Sequence, residues 1–286
     1  MILPDFLIPS RANQAWQYSG IDSPENCLDK KHFDSYPHDV IYQYNSRGFR
    51  DAEWPTSLNE LTSAIWCVGD SFTVGLGSPF PHIWPYVLQQ TLNTRTINVS
   101  MDGASNMWIA RKAVQILQDI APAVMVIHWS YINRREQDLP TALDQQWEKF
   151  YNAIRDLSWP NCDRHERDQL PQHIIDEIEL VHGGWNNVML PDDRRLMHYF
   201  LCSDQDDVDN TLDCINLVSQ SAQHTRIVHS FIPNFVPDLF KGHIESTILG
   251  LVIPEIKALD LARDGHHYDQ LTSHYLVEQI LSRLNQ

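Results

Sequence analysis

Short apolar runs alternate with helical periodicity through much of the chain. The run at 64–68 (AIWCV) is short, holds β-branched and aromatic residues and ends at Gly69, so it predicts a buried strand. Beyond Pro79 and Pro81, Trp84, Leu88 and Leu92 recur every four residues, as on one helix face. A second strand is expected at 94–100 (TRTINVS). A helix follows over about 105–120, with Met107, Ala110, Val114 and Leu117 sharing a face. The run at 123–129 (AVMVIHW) is apolar almost throughout, as a strand covered on both faces requires. Later elements are a helix near 207–222, a strand at 226–232 (RIVHSFI) and a short strand around 256–261. A last helix over 271–284 carries Leu276, Ile280 and Leu284 on one face. This β-α-β-α-β rhythm predicts an α/β fold, a three-layer α/β/α domain with a doubly wound parallel sheet.

Two stretches fall outside the rhythm. Residues 1–60 are polar, aromatic and proline-containing, without a helical period, and are expected to form an extension packed on a core of 61–286. Within it, 45–50 (NSRGFR) has turn chemistry. From about 134 to 204 no core strand is predicted. Trp147, Phe150, Tyr151 and Ile154 fit a helix face, as do Ile174, Ile175, Ile178 and Leu180, so this is expected to be a helical insertion. It leaves the sheet at the carboxyl end of the third strand, where insertions form lids or substrate walls; a peripheral decoration or an oligomer contact fits equally.

Composition narrows the function. With 43% hydrophobic and 20% charged residues among 286, the chain is globular and long enough for a large core. A formal charge of -16 repels phosphate backbones and anionic lipid heads, so neither nucleic acid nor membrane is an expected partner. The five cysteines are scattered and make no C-x-x-C pair, which favours a reducing compartment. Cys67 reads as a small buried hydrophobe. The first residues lack a basic segment and a long apolar core, and no 18-residue apolar run occurs, so a cytoplasmic location is expected. Most of the 14 histidines are spread out, with His266 and His267 adjacent, and no H-E-x-x-H is present. No metal or organic cofactor is implied.

The candidate chemistry lies at 68–77 (VGDSFTVGLG). A serine at the end of a buried strand, ahead of small residues, suits a strand-to-helix turn that presents its hydroxyl at the carboxyl edge of the sheet. The free N–H groups of that turn then point at whatever the hydroxyl attacks. The G-x-S-x-G elbow does not fit, because Thr73 stands at the second glycine position. A phosphate loop does not fit either, because no lysine occurs between Lys31 and Lys112. A serine needs a base, and the base an acceptor that fixes its tautomer. Near the other end of the chain, Asp264-Gly265-His266-His267 offers both; on spacing alone either histidine could serve.

Together, Gly69-Asp70-Ser71 and Asp264-x-x-His267 resemble the first and last motif blocks of the SGNH, or GDSL-type, hydrolases. The resemblance covers roughly 60–133 and 205–286 and is tight only at those two blocks. It implies Ser71 as nucleophile, His267 as base, Asp264 as its partner and Gly103 as an oxyanion donor beside the Ser71 N–H. Similar Asn-x-x-Gly-Phe-Arg stretches precede the nucleophile strand in such proteins. Two departures stand out. Tyr268 replaces the usual proline, and the usual Gly-x-Asn-Asp after the third strand is replaced by 128–136 (HWSYINRRE). The third donor is then Ser130, at the sheet edge, or Asn133, brought back by a turn. The implied activity is hydrolysis of a small-molecule or carbohydrate ester, carbohydrate O-acetyl esters being favoured, through an acyl-enzyme on Ser71. O-acyl transfer by the same triad, or a non-catalytic binding or structural role on the same fold, are the alternatives.

Overall fold

The computed structural model describes residues 6–19, 21–27, 29–132, 134, 204–233, 248 and 250–286. The expected insertion therefore lies outside the described residues but for Arg134 and Asp204, and so does Asn133.

The leading segment contains β1 (Ala15–Trp16) paired antiparallel with β2 (Tyr42–Gln43), and the short helices α1 (Lys30–Ser35) and α2 (Leu58–Ser63). The central sheet has β3 (Ile65–Gly69), β4 (Thr96–Ser100), β5 (Val124–Trp129), β6 (Arg226–Phe231) and β7 (Leu251–Val252). Its order is β4-β3-β5-β6-β7 and every pairing is parallel. Helices α3 (Ser71–Val74), α4 (Trp84–Leu92), α5 (Asn106–Asp119), α6 (Asp204–Ser221) and α7 (Gln270–Leu284) join or flank the strands.

Side-chain alternation explains the layers. Along β3, Trp66 and Val68 pack with Ile109, Ala113 and Ile116 of α5 and Val208, Ile215 and Val218 of α6. Ile65 and Cys67 face the other way, onto Trp84 and Leu88 of α4 and Leu276 and Ile280 of α7. Both faces are covered, so the central strands β3 and β5 read as nearly unbroken apolar runs. Burying one such leucine contributes about 2 kcal/mol. Helix α5 starts at Ser105, whose hydroxyl accepts the Trp108 N–H at 3.1 Å. That bond satisfies one of the helix's free donors.

Three expectations need correction. No strand forms at 256–261. The edge strand is β7, which ends at Val252 and is followed by one further rung, the Ile253 N–H donating to the His229 carbonyl at 2.8 Å. Leu259 and Leu261 are 55% and 44% exposed, the opposite of core residues. In α5 the buried stripe runs through Ile109, Ala113 and Ile116, and Met107 is 37% exposed. In α4, Trp84 and Leu88 are buried but Leu92 lies at the surface.

The strand order positions the site. The chain leaves β3 outward to β4, then crosses back to β5 on the other side. Ligand crevices open at the carboxyl ends of strands where the connection reverses in this way. Ser71 follows β3, Gly103 follows β4, and Ser130 and Arg134 follow β5.

Candidate active site

Ser71 opens the one-turn helix α3 directly after β3. Asp70 caps that turn, its Oδ1 accepting the Phe72 N–H at 3.0 Å. Gly75 closes it in the left-handed region (φ 74°), a conformation that an L side chain resists. Ser71, Phe72, Thr73 and Val74 are all buried, so the hydroxyl is held rather than loose. The N–H groups of Ser71 and Gly103 have no acceptor among the described residues.

The turn at 262–267 brings Asp264 and His267 to this serine. His267 Nε2 is 2.8 Å from Ser71 Oγ, and His267 Nδ1 is 2.5 Å from Asp264 Oδ2. A carboxylate only accepts, so Nδ1 carries the hydrogen and Nε2 turns its lone pair to the serine. Asp264 Oδ1 accepts the N–H groups of His266 and His267, at 3.0 and 2.9 Å. Burial pushes the Asp264 carboxyl up, but the His267 ring and these N–H donors together hold it below the ordinary carboxylate value. His266 points elsewhere: its Nε2 lies 3.1 Å from the Tyr131 hydroxyl, and burial lowers its pKa. Phe72 packs 4.5 Å from the His267 ring and also meets Tyr131, His266 and Tyr268, forming an aromatic wall.

At the end of β5, Ser130 and Arg134 gather on Asp70. The Ser130 hydroxyl donates to Asp70 Oδ2 at 2.6 Å, and its N–H donates to Asn106 Oδ1 at 2.8 Å. Both hydrogens are thereby engaged. Its oxygen instead accepts from Arg134 Nη1 at 2.8 Å, and the same nitrogen meets Asp70 Oδ2 at 2.9 Å. The Arg134 guanidinium lies 4.8 Å from the Tyr131 ring centre. Contacts thus form a ring about Ser71, from Asp70 to Arg134, Tyr131, His266 and His267.

Sequence reasoning missed Asn106. Asn106 is fully buried and clasps the backbone of Ser130 from both sides, its Nδ2 reaching the Ser130 carbonyl at 3.2 Å and Thr211 Oγ1 at 3.1 Å. The signal was an amide placed just after a capping serine, at the start of a helix facing the site. Tyr268 also has a purpose that the sequence hid. It is buried, and its hydroxyl lies 3.3 Å from His128 Nε2. His128 Nδ1 is 2.9 Å from Ser230 Oγ, and the Ser230 hydroxyl donates to the Ile127 carbonyl at 3.2 Å. Burial drives the His128 pKa down to about 4. No group of three or more metal-ligating side chains occurs among the described residues.

A parallel sheet with this serine–histidine–aspartate row at its carboxyl edge is the arrangement of the SGNH-type hydrolases, which the chain resembles in its sequence motifs. No protein-family description matches the chain. No curated protein matches it in sequence. Solved structures of GDSL-type hydrolases and esterases are similar to it. They include TesA, at 14% identity and a TM-score of 0.45, with 78% of this chain and 98% of that one covered. They also include a family two carbohydrate esterase from Clostridium thermocellum in complex with cellohexaose, at 11% identity and a TM-score of 0.42, covering 82% and 66%. The psychrotrophic esterase EstA from Pseudoalteromonas is similar at 12% identity and a TM-score of 0.36, covering 78% and 97%.

Proposed function

We propose that this protein hydrolyses carboxylic esters through an acyl-enzyme on Ser71. The observation that carries the reading is the unbroken row Ser71 Oγ to His267 Nε2 (2.8 Å) and His267 Nδ1 to Asp264 Oδ2 (2.5 Å). In the proposed reaction Ser71 Oγ attacks the ester carbonyl carbon while His267 Nε2 takes the hydroxyl proton. The imidazolium is stabilised by Asp264. The tetrahedral oxyanion meets the N–H groups of Ser71 and Gly103. His267 then passes its proton to the departing alkoxide. Water repeats the sequence on the acyl-serine and releases the carboxylic acid. On the β5 side the proposed third donor is Arg134, locked in place by Asp70 and Ser130, in the position first assigned to Ser130 or Asn133. A cation already held by fixed partners needs no reorganisation as the oxyanion forms.

A fluorophosphonate probe tests the reading. Wild type is expected to be labelled covalently and to turn over an aryl acetate, and Ser71→Ala to do neither. Equal labelling of the two proteins would end the hydrolase assignment. Acetate release from acetylated oligosaccharides, measured beside the aryl ester, tests carbohydrate O-acetyl esters as the substrate class. Transfer of the acetyl group to a sugar hydroxyl in the same assay would identify an acyltransferase instead.

A further inference from the structure

The loop that carries Asp264 and His267 is held from outside the sheet, by the leading segment of the chain. Arg263, the residue before Asp264, is buried. Its Nε and Nη2 each donate to Asp22, at 2.7 Å to Oδ1 and 2.7 Å to Oδ2, and Nη2 also donates to the Gln17 carbonyl at 2.7 Å. Asp22 is fully buried and also accepts the Tyr42 hydroxyl. The oxygen of Tyr42 in turn accepts the Gly77 N–H at 2.7 Å, and the Gly77 carbonyl accepts the Arg263 N–H at 3.0 Å. This closes a circuit: Asp22 to Arg263, Arg263 to Gly77, Gly77 to Tyr42, Tyr42 to Asp22. Gly77 belongs to the loop leaving the Ser71 turn. A fifth contact comes from α1, where His32 Nε2 lies 2.7 Å from the Ala262 carbonyl.

The same segment also grips the nucleophile side. Arg50 is fully buried and donates to the carbonyls of Val74 (3.1 Å), Gly75 (2.5 Å) and Ser78 (2.7 Å). Residues 17–50 therefore bind both halves of the candidate triad, the turn bearing Ser71 and the turn bearing its base. None of these side chains lies in the sheet or its flanking helices. A carboxylate and a guanidinium sealed from water are expensive to separate, because either left alone is an uncompensated buried charge. A paired fork of two parallel hydrogen bonds also fixes direction as well as distance.

We propose that Asp22 is a positioning residue for the Asp264–His267 pair: through Arg263 it sets the height of that loop against Ser71. The inference rests on the hydrolase reading for its kinetic consequence, but its geometric part does not. Asp22→Asn keeps the shape, removes the charge and turns an N–H₂ toward donors that need an oxygen. Small misplacements of a general base lower turnover steeply without touching substrate binding.

The test compares wild type and Asp22→Asn in three measurements. These are aryl acetate kinetics, the rate of fluorophosphonate labelling, and the low-field proton resonance of the His267 ring N–H shared with Asp264. The expected result, in a variant whose circular dichroism matches wild type, is a fall of about tenfold or more in kcat and labelling rate. KM should hold, and the ring-proton resonance should broaden or vanish. If Asp22→Asn does not fold, His32→Ala, which loses only the partly exposed contact on Ala262, should move all three in the same direction by a smaller amount. A folded variant with wild-type kcat and an unchanged ring proton overturns the proposal. A wild type that the probe leaves unlabelled ends the nucleophile reading but not this one, because the ring-proton comparison still decides it.

Discussion

Acidification should destabilise this protein through one histidine that takes no part in the proposed chemistry. His128 is fully buried between Ser230 and Tyr268, and its pKa falls from an ordinary 6.5 to about 4. Its hydrogen bonds specify the neutral ring. The Ser230 hydroxyl is turned to a carbonyl, so Nδ1–H donates to Ser230, and Nε2 accepts from Tyr268. Between the two pKa values the unfolded chain binds a proton that the folded one refuses. Stability therefore rises with pH across that window and is lost as pH falls. Evaluating the linkage between pH 7 and pH 4.5 gives a loss of about 2.5 kcal/mol from this group alone. Asp264 acts elsewhere: its depressed carboxyl gives stability that persists above the ordinary 3.8 and fades only as pH drops through its lower folded value. Urea unfolding at both pH values, on wild type and His128→Gln, isolates the histidine. The variant should be weaker at pH 7 and should lose about 2.5 kcal/mol less on acidification. Equal pH slopes for the two proteins, or a His128 resonance titrating near 6.5, would refute the reasoning.

Other substitutions probe the site's frame. Gly77 has φ 75°, and a Cβ there would sit 2.8 Å from the Ala262 Cβ and 3.1 Å from the amide nitrogens of Arg263 and Asp264. Gly77→Ala should cost about 2 kcal/mol or more, from backbone strain and that contact, lowering Tm by roughly 4–8 °C and kcat with it. An unchanged kcat in a protein destabilised that far would show that the loop tolerates the push. For the third donor, Arg134→Met should lower kcat on an aryl acetate by about 10²–10³ with KM little changed. Asn133→Ala and Ser130→Ala should do much less, and a larger effect of Asn133→Ala would move the donor there.

Which parts could be read in advance follows from where the information is stored. Strands β3 and β5 were legible because burial on both faces forces apolar residues at consecutive positions, and β4 and β6 because short β-branched segments follow each helix. Ser71, Asp264 and His267 were legible because each half of the row depends on short local geometry, a strand-end turn and a three-residue reach. The last strand was misplaced because apolar residues continue past β7 into a segment that pairs with no strand. The surroundings of Ser130 were hidden for a different reason. Ser130 has the right chemistry and position, but Asp70 and Asn106 take its hydrogens from two other elements, which no local pattern records. Arg50, Asp22 and Arg263 were likewise invisible as a group. Their partners are Ser78, Gly77 and one another, brought together by tertiary contacts.

The separation along the chain of the contacting groups sets an order of events during synthesis. Ser71 meets His267, 196 residues downstream, and Asp22 meets Arg263 at a separation of 241. At about 5–20 residues per second, roughly 10–40 s pass between translation of the serine and of its histidine. Throughout that interval the emerging polypeptide carries the proposed nucleophile without its proposed base, and Asp22 without its guanidinium partner. The leading segment can grip the Ser71 turn early, through Arg50 and Tyr42, but its grip on the closing turn must wait for Arg263. A ribosome-tethered chain stopped before Arg263 should therefore escape labelling by the fluorophosphonate probe, and labelling should appear once the closing turn is released.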